Sequence, residues 1–414
     1  MRILEGDCRV LLAALADASV QCVVTSPPYY GLRDYGVDAQ IGLEATLAAY
    51  ITTMVAVFRE VRRVLRDDGT CWINLGDSYV SNGRYESDRS TYVGDLTKYA
   101  PNEPRPSARA MLMKPKDLMM MPARVALALQ ADGWWLRSDI IWSKPNPMPE
   151  SVTDRPTNAH EHVFLLTKSA RYFFDGEAVR DAQSEGTHER FGKNPARSQA
   201  GIKEVAPGLG MKNNTSFNEG RPTMILPNGR NIRNVWEIAT EAFPAAHFAT
   251  FPTALAERCI RAGTSERGCC AECGSAWVRD VERSVAFTSG SGRAGNVPNG
   301  KHAGAVQALS GDYDIRMGPS VSTTTTGWSP SCAHDAAVVP CTVLDPFAGA
   351  ATTLLVAQRL GRSSIGIELS PAYVALSWER LQAESPYERI NPVPDSPAFA
   401  GPLLAWAFGG DVVS

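Results

Sequence analysis

The chain has 414 residues, enough for one large α/β domain with insertions or for two domains. Hydrophobic residues make up 44% and charged residues 21%, so an ordinary buried core is expected, and the net charge of -3 rules out a globally basic polyanion binder. Met1 to Asp7 lacks a signal-peptide apolar run and no later stretch approaches the roughly 20 apolar residues needed to cross a bilayer, so the expectation is a cytoplasmic protein with no membrane association.

Arg2 to Asp7 reads as a short strand ending at an acidic residue, and Cys8 to Ala18 as a helix with Val10, Leu11 and Leu15 at helical spacing. Gln21 to Val24 is a buried strand running straight into Thr25-Ser26-Pro27-Pro28-Tyr29-Tyr30. Ala45 to Leu65 predicts an amphipathic helix stopped by Asp67-Asp68-Gly69, followed by a strand from Thr70 to Leu75. Ser81 to Arg109 is polar and rich in Pro, Gly, Arg and Tyr, and predicts a mobile loop. Met121 to Ala131 predicts a helix, and Leu136 to Trp142 and His162 to Thr167 predict strands. Strands alternating with helices indicate a mostly parallel sheet with helices on both faces.

From Gly176 to Asn234 the periodicity fades. Between Gly186 and Arg233 this stretch carries Arg190, Lys193, Arg197, Lys203, Lys212, Arg221, Arg230 and Arg233 against Glu189, Glu204 and Glu219. That local basic excess suits either a solvated loop or a nucleic-acid surface. Ala249 to Ala262 is a helix opened by Phe251-Pro252. A second irregular insertion, Gly268 to Pro340, includes Ser322-Thr323-Thr324-Thr325-Thr326. Val343 to Leu381 then reads strand, loop, helix, strand, helix, before a Pro-rich tail after Pro386.

The nine cysteines are unevenly placed. Cys8, Cys22, Cys71 and Cys259 read as buried thiols, whereas Cys269, Cys270, Cys273, Cys332 and Cys341 crowd into one region, which suits a metal better than disulfides. Cys270 and Cys273 form a C-x₂-C knuckle, and Cys332 with His334 offers a second pair. A Cys₃His set fits structural Zn²⁺, with Cys269 and Cys341 as substitute ligands.

Thr342 to Thr353 is a strand leading through small residues into a helix, a place where a ligand can approach bare backbone and free N–H groups. Glu368 closes the next strand and suits ribose hydroxyls, as in a βαβ cofactor unit. The loop is neither a dinucleotide Gly-x-Gly-x-x-Gly nor a Gly-Lys-Ser/Thr phosphate loop, and Asp345 suits a ligand with a cationic amino group. A plain structural βαβ unit fits the same segment.

The Ser26-Pro27-Pro28-Tyr29 turn lies at the carboxyl edge of the sheet, where α/β sites form. Consecutive prolines fix the backbone and donate no hydrogen bonds, leaving carbonyls free to accept. An exocyclic amino group has its lone pair delocalised into the ring of its base. Accepting its N–H bonds localises that pair, and an aromatic ring can stack on a base taken out of the helix. A Pro-Pro turn without chemistry is the bland alternative.

Together these segments resemble the DNA amino-methyltransferases in their permuted β-type arrangement, where the catalytic motif precedes the cofactor motif. The resemblance covers most of the chain: Gly6-Asp7, Thr25 to Tyr30 with Gly31 to Tyr35, Leu75 to Tyr79, Gly133-Trp134, Trp142 to Pro147, His160 to Phe164, Asn234 to Ile238, His247 to Pro252 and Asp345 to Thr353. It implies a Rossmann-like, circularly permuted α/β fold dependent on S-adenosyl-L-methionine. Residues 1–175 would be the catalytic half, 176–245 a target-recognition insertion and 246–267 a cofactor-contacting helix. Residues 268–340 would be a zinc-ribbon-like insertion with a flexible loop, 341–385 the cofactor-binding half and 386–414 a C-terminal tail.

By that resemblance Ser26 and the Pro27 carbonyl hold the target amine, Pro28 shapes the turn and Tyr29 stacks on the flipped base. Asp345, Phe347, Gly349 and Thr352 bind the methionine and adenosine portions of the cofactor, Glu368 the ribose and Asp7 the adenine side, with Phe251 and Pro252 as an added cofactor contact. The implied partners are double-stranded DNA and a restriction endonuclease, in a bacterial or phage-infected cell. Ser at the first motif position resembles the cytosine-N4 type; adenine N6 is the alternative. Ala351 stands where the family usually has the second glycine of Gly-x-Gly, which predicts weakened cofactor binding through crowding or backbone strain and keeps open a DNA-binding protein with an impaired core. Methylation of RNA or protein is a third possibility, which the basic insertion disfavours.

Overall fold

The computed structural model describes residues 1–31, 40–80, 113–182, 229–241, 243, 251–286 and 320–383. They fall into two compact units, one within 1–179, 233–278 and 328–414, the other within 180–232 and 279–327. Among the described residues no helix is long and apolar enough to cross a membrane. The strands are β1 (Arg2–Glu5), β2 (Val20–Thr25), β3 (Leu65–Leu75), β4 (Trp135–Ser143), β5 (His160–Thr167) and β6 (Val235–Glu237), then β7 (Cys269–Cys270), β8 (Trp277–Ala286), β9 (Ser320–Pro330), β10 (Val338–Val339), β11 (Thr342–Asp345) and β12 (Ser363–Glu368). The helices are α1 (Cys8–Leu11), α2 (Leu47–Val64), α3 (Met121–Ala131), α4 (Thr253–Gly263), α5 (Thr352–Arg359) and α6 (Pro371–Ala383).

Eight strands of the larger unit form one sheet in the order β1-β12-β11-β2-β3-β5-β4-β6. Only β5 runs against its neighbours; every other pairing is parallel. The mostly parallel sheet expected from the sequence is therefore present. Side-chain alternation sorts its faces. Cys71, Ile73 and Leu75 of β3 join the core built on α2 and α3, while Trp72 contacts Trp236 and Gly263 of α4 packs on Thr70, Cys22 and Trp72. On that second face Leu354 of α5 and Leu381 of α6 share a smaller core with Ala348 and Ala351. Helices thus cover both faces, and the ends of β1, β12, β11, β2 and β3 meet along one carboxyl edge, where the start of the reversed strand β5 joins them.

α2 forms because Thr46 caps it, accepting the Ala49 amide at 3.1 Å, and because Tyr50, Met54, Val57, Phe58, Val61 and Val64 bury one stripe at helical spacing. Each such burial contributes roughly 1.5–3 kcal/mol. Three element readings need correction. The helix expected from Cys8 to Ala18 is only α1 plus a 3₁₀ turn, Leu12–Ala14, because the Arg63 guanidinium takes the Leu12 and Leu15 carbonyls at 2.7 and 2.8 Å and so caps the chain early. Asp67-Asp68-Gly69 is not a helix stop but part of β3. The chain passes from α2 directly into β3, and these residues form an irregularity between the Leu65–Val20 and Thr70–Cys22 pairs. The threonine run is not irregular either: it lies in β9, paired with β8, as β-branched residues favour.

In the smaller unit the expected recognition segment is closed at its base. Asp181 and Arg230 exchange both backbone hydrogen bonds at 3.0 and 2.9 Å. The residues between them that carried the basic excess, Arg190 to Arg221, lie outside the described residues, as do 81–109 and the tail.

Candidate active site

The loop after β11 is held from below by a buried carboxylate. Asp345, 1% exposed, accepts hydrogen bonds from the Thr25 and Thr353 hydroxyls, each at 2.7 Å, and from the Phe347 amide at 3.1 Å. Burial pushes its pKa up to about 6, against the pull of those donors. Thr25 ends β2 and Thr353 begins α5, so this one side chain ties the catalytic strand to the cofactor loop. Glu368 holds the loop from the side: Oε2 accepts the Gly349 amide and Oε1 the Ser370 amide, both at 2.8 Å. Burial raises its pKa as well. Gly349 has φ +51 and an open Cβ position, with only the Phe347 carbonyl at 4.0 Å. From α6, Ser377 donates to the Gly349 carbonyl and Arg380 to the Ala350 carbonyl, at 2.7 and 2.9 Å.

Ala351 is the N-cap of α5 with φ 58 and ψ 33, the left-handed conformation that costs an L-residue about 1–2 kcal/mol. Its methyl group is fully buried against Leu354, Leu355 and Leu381. The residue does not reach the cavity described below, so the expected crowding of a ligand is corrected: the methyl points into the core, and only the strain remains.

The turn after β2 carries a polar network. The Tyr29 hydroxyl donates to Glu161 Oε2 at 2.7 Å and lies 3.4 Å from Ser26 Oγ. Asn74 Nδ2 donates to Glu161 Oε2 at 2.8 Å and to Tyr29 Oη at 3.0 Å, and lies 3.5 Å from Ser26 Oγ. Lys144 Nζ pairs with Glu161 Oε1 at 2.5 Å and sits 4.6 Å above the Trp142 ring. Gly76 makes room for the ring: a Cβ there would lie 2.7 Å from Tyr29 Cε2. The Pro28 carbonyl is occupied by the Tyr50 hydroxyl at 2.8 Å.

Both halves open onto one cavity of about 710 Å³. Asp7, Ser26, Pro27, Pro28, Tyr29, Phe251, Phe347, Gly349, Thr352 and Glu368 all line it. Two expected site residues do not. Asp345 lies beneath the loop, and Pro252 is the N-cap of α4. Asp7 caps α1 and is bound by Arg9, whose hydrogen bonds hold its pKa down. Sequence reading missed the roles of Asn74, Lys144 and Glu161, which also line the cavity. The available signal was position: each sits at or just beyond the strand edge that carries Ser26.

Away from this cavity, Cys270, Cys273, Cys332 and His334 bring their ligand atoms within 4.8 Å of one another. The knuckle turns at Gly274, whose amide donates to the Cys270 carbonyl at 2.8 Å. Cys269 and Cys341 are free thiols in hydrogen-bond contact with each other, Cys269 also donating to the Pro340 carbonyl and Cys341 to the Ser265 carbonyl, and neither belongs to this cluster.

Neighbouring parallel strands that bring a helix-starting small-residue loop and a Ser-Pro-Pro-Tyr turn to one cavity define an α/β methyltransferase. A family model described as DNA methylase matches residues 20–273 and 341–379, and the chain belongs to that N6/N4 DNA methylase family. It is 36% identical over 383 residues to the type II methyltransferase M.Cfr9I of Citrobacter freundii, covering 92% of this chain and 88% of that one. It is 35% identical over 381 residues to the type II methyltransferase M.SmaI of Serratia marcescens, covering 92% and 90%. Among solved structures, the cytosine-N4-specific PvuII DNA methyltransferase aligns with a TM-score of 0.46 at 16% identity, over 92% of this chain and 89% of that one.

Proposed function

We propose that the protein transfers a methyl group from S-adenosyl-L-methionine to the exocyclic amino group of a base flipped out of double-stranded DNA, with cytosine N4 as the acceptor. The observation that carries this reading is the shared cavity, which Ser26 and Tyr29 line together with Phe347, Gly349 and Glu368. The donor set suits the cofactor. Glu368 spends one acceptor position of each oxygen on the loop and keeps others for ribose hydroxyls. Phe251 and Phe347 supply apolar walls, and Gly349 leaves bare backbone.

When bound, the cofactor supplies an electrophilic methyl group on a sulfonium. The chain's residues prepare the nucleophile. Ser26 Oγ and the Pro27 carbonyl accept the two N–H bonds, which turns the nitrogen lone pair toward the methyl carbon. Tyr29, braced by Glu161 and by Gly76 behind it, offers a ring face to the extruded base. Serine at position 26 supports cytosine over adenine through the family resemblance.

The type II relatives support a place beside a restriction endonuclease, protecting DNA from it. The segment 176–245 is assigned to target recognition, its lysines and arginines set on phosphates. We read the fold as circularly permuted, because β1 pairs with β12 and α6 packs on both, where an unpermuted chain would continue from α6. Cys270, Cys273, Cys332 and His334 are assigned to structural Zn²⁺.

Methylation-aware sequencing of DNA from cells expressing the protein reports base, position and motif together. A modified cytosine at a fixed motif, erased by Ser26→Ala, is the expected result. Methylated adenine would replace the cytosine assignment, and unmodified DNA would end the proposal.

A further inference from the structure

Asn74 is 3% exposed and lines the cavity beside Ser26, yet its Oδ1 has no hydrogen-bond partner among the described residues. A buried amide oxygen without a partner loses hydration and gains nothing, so it points to a ligand. The orientation is set by chemistry. Glu161 Oε2 accepts from whatever faces it, so the amide must present its NH₂ there, which it does at 2.8 Å, with a second contact to Tyr29 Oη at 3.0 Å. Lys144 holds the other carboxylate oxygen at 2.5 Å and fixes the carboxylate in turn. Rotating the amide would set its oxygen against Glu161, so the carbonyl is held away from that carboxylate as a pure acceptor.

We propose that Asn74 is a catalytic residue whose side-chain carbonyl accepts a hydrogen bond from the amino group of the target base, and that Glu161 and Lys144 are positioning residues that aim it. This rests on the amino-methyltransferase reading above. A second side-chain acceptor beside Ser26 draws the N–H bonds further into the plane that leaves the lone pair exposed. The amine is the donor both candidate bases present, so Asn74 recognises the amino group rather than the ring.

The test uses the full chain with an unmethylated duplex oligonucleotide carrying the target motif that sequencing identifies. It measures kcat, KM for DNA, S-adenosylmethionine binding by calorimetry and melting temperature for Asn74→Ala, Glu161→Gln and the double variant. Expected are a kcat loss of about a hundredfold for Asn74→Ala and about tenfold for Glu161→Gln. Cofactor binding and KM should stay within about twofold, and the double variant should lose less than the product of the two single losses, because Glu161 acts through the Asn74 amide as well as through Tyr29. Unchanged kcat in Asn74→Ala, or losses that multiply, would overturn the inference. If Asn74→Ala does not fold, Glu161→Gln decides alone: a wild-type kcat there overturns it. Ser26→Ala run in parallel separates the two readings. An inactive Ser26→Ala beside a fully active Asn74→Ala removes only the role of Asn74, whereas a fully active Ser26→Ala removes the amino-methyltransferase reading itself.

Discussion

Glu368 accepts the Gly349 amide at 2.8 Å and thereby fixes the tip of β12 to the loop after β11. One carboxylate therefore shapes the loop and faces the cavity. Glu368→Gln replaces one acceptor oxygen with an NH₂ that repels either the Gly349 or the Ser370 amide. S-adenosylmethionine affinity should fall at least about tenfold, near 1.4 kcal/mol, by calorimetry. Wild-type affinity would show that the loop needs no such anchor.

Asp345 makes a pH prediction of unusual sign. Burial raises its folded pKa from 3.8 to about 6. The folded protein then binds this proton more tightly than the unfolded chain does. The group's contribution is unfavourable above pH 6 and is relieved as pH falls toward the unfolded value near 4. The full difference is on the order of 3 kcal/mol. Melting curves from pH 7 to 4 should show the ligand-free wild type gaining stability relative to Asp345→Asn on acidification. Parallel curves would refute the shift.

Much of this site can be read from the residues, and the limits have physical causes. Ser26 to Tyr29 follow a fully buried β2, and Glu368 is the last residue of β12, so the ends of two apolar strands placed both at one edge. Asp345 misleads because a carboxylate at a strand end looks the same whether it faces a ligand or two threonines, and Thr25 is 320 positions away in sequence. Asn74 and Glu161 meet only through the pairing of β3 with the reversed strand β5, which nothing local in sequence specifies. The short α1 was unpredictable for the same reason, since the Leu12 and Leu15 carbonyls just beyond it are taken by Arg63 from another helix.

Ala351→Gly tests the departure in the loop. The methyl lies in the core, so its removal loses a small buried contact while relieving left-handed strain of similar size. Cofactor affinity should stay within about threefold and stability within about 1 kcal/mol. A gain in affinity of tenfold or more would restore the view that the methyl hinders the cofactor.

Zinc should be bound at one ion per chain. The knuckle is braced on the sheet: Arg66 donates to the Cys273 carbonyl and Gln21 to the Gly274 carbonyl, while Gln21 also accepts the Thr342 amide at 2.6 Å. Cys273→Ser or chelation should lower the melting temperature by several degrees, without abolishing methylation at temperatures where the protein stays folded. Elemental analysis that finds no zinc would remove the site.

The place of β2 in the sheet has a consequence for how the protein comes into being. One neighbour of β2, β3, is synthesised within tens of residues, but the other, β11, emerges only after residue 342. Val23 and Leu344 must find each other across almost the whole chain, a loop closure that makes folding slow. On the ribosome the strand before Ser-Pro-Pro-Tyr waits with one edge open, and the cavity cannot assemble until β11 has been made.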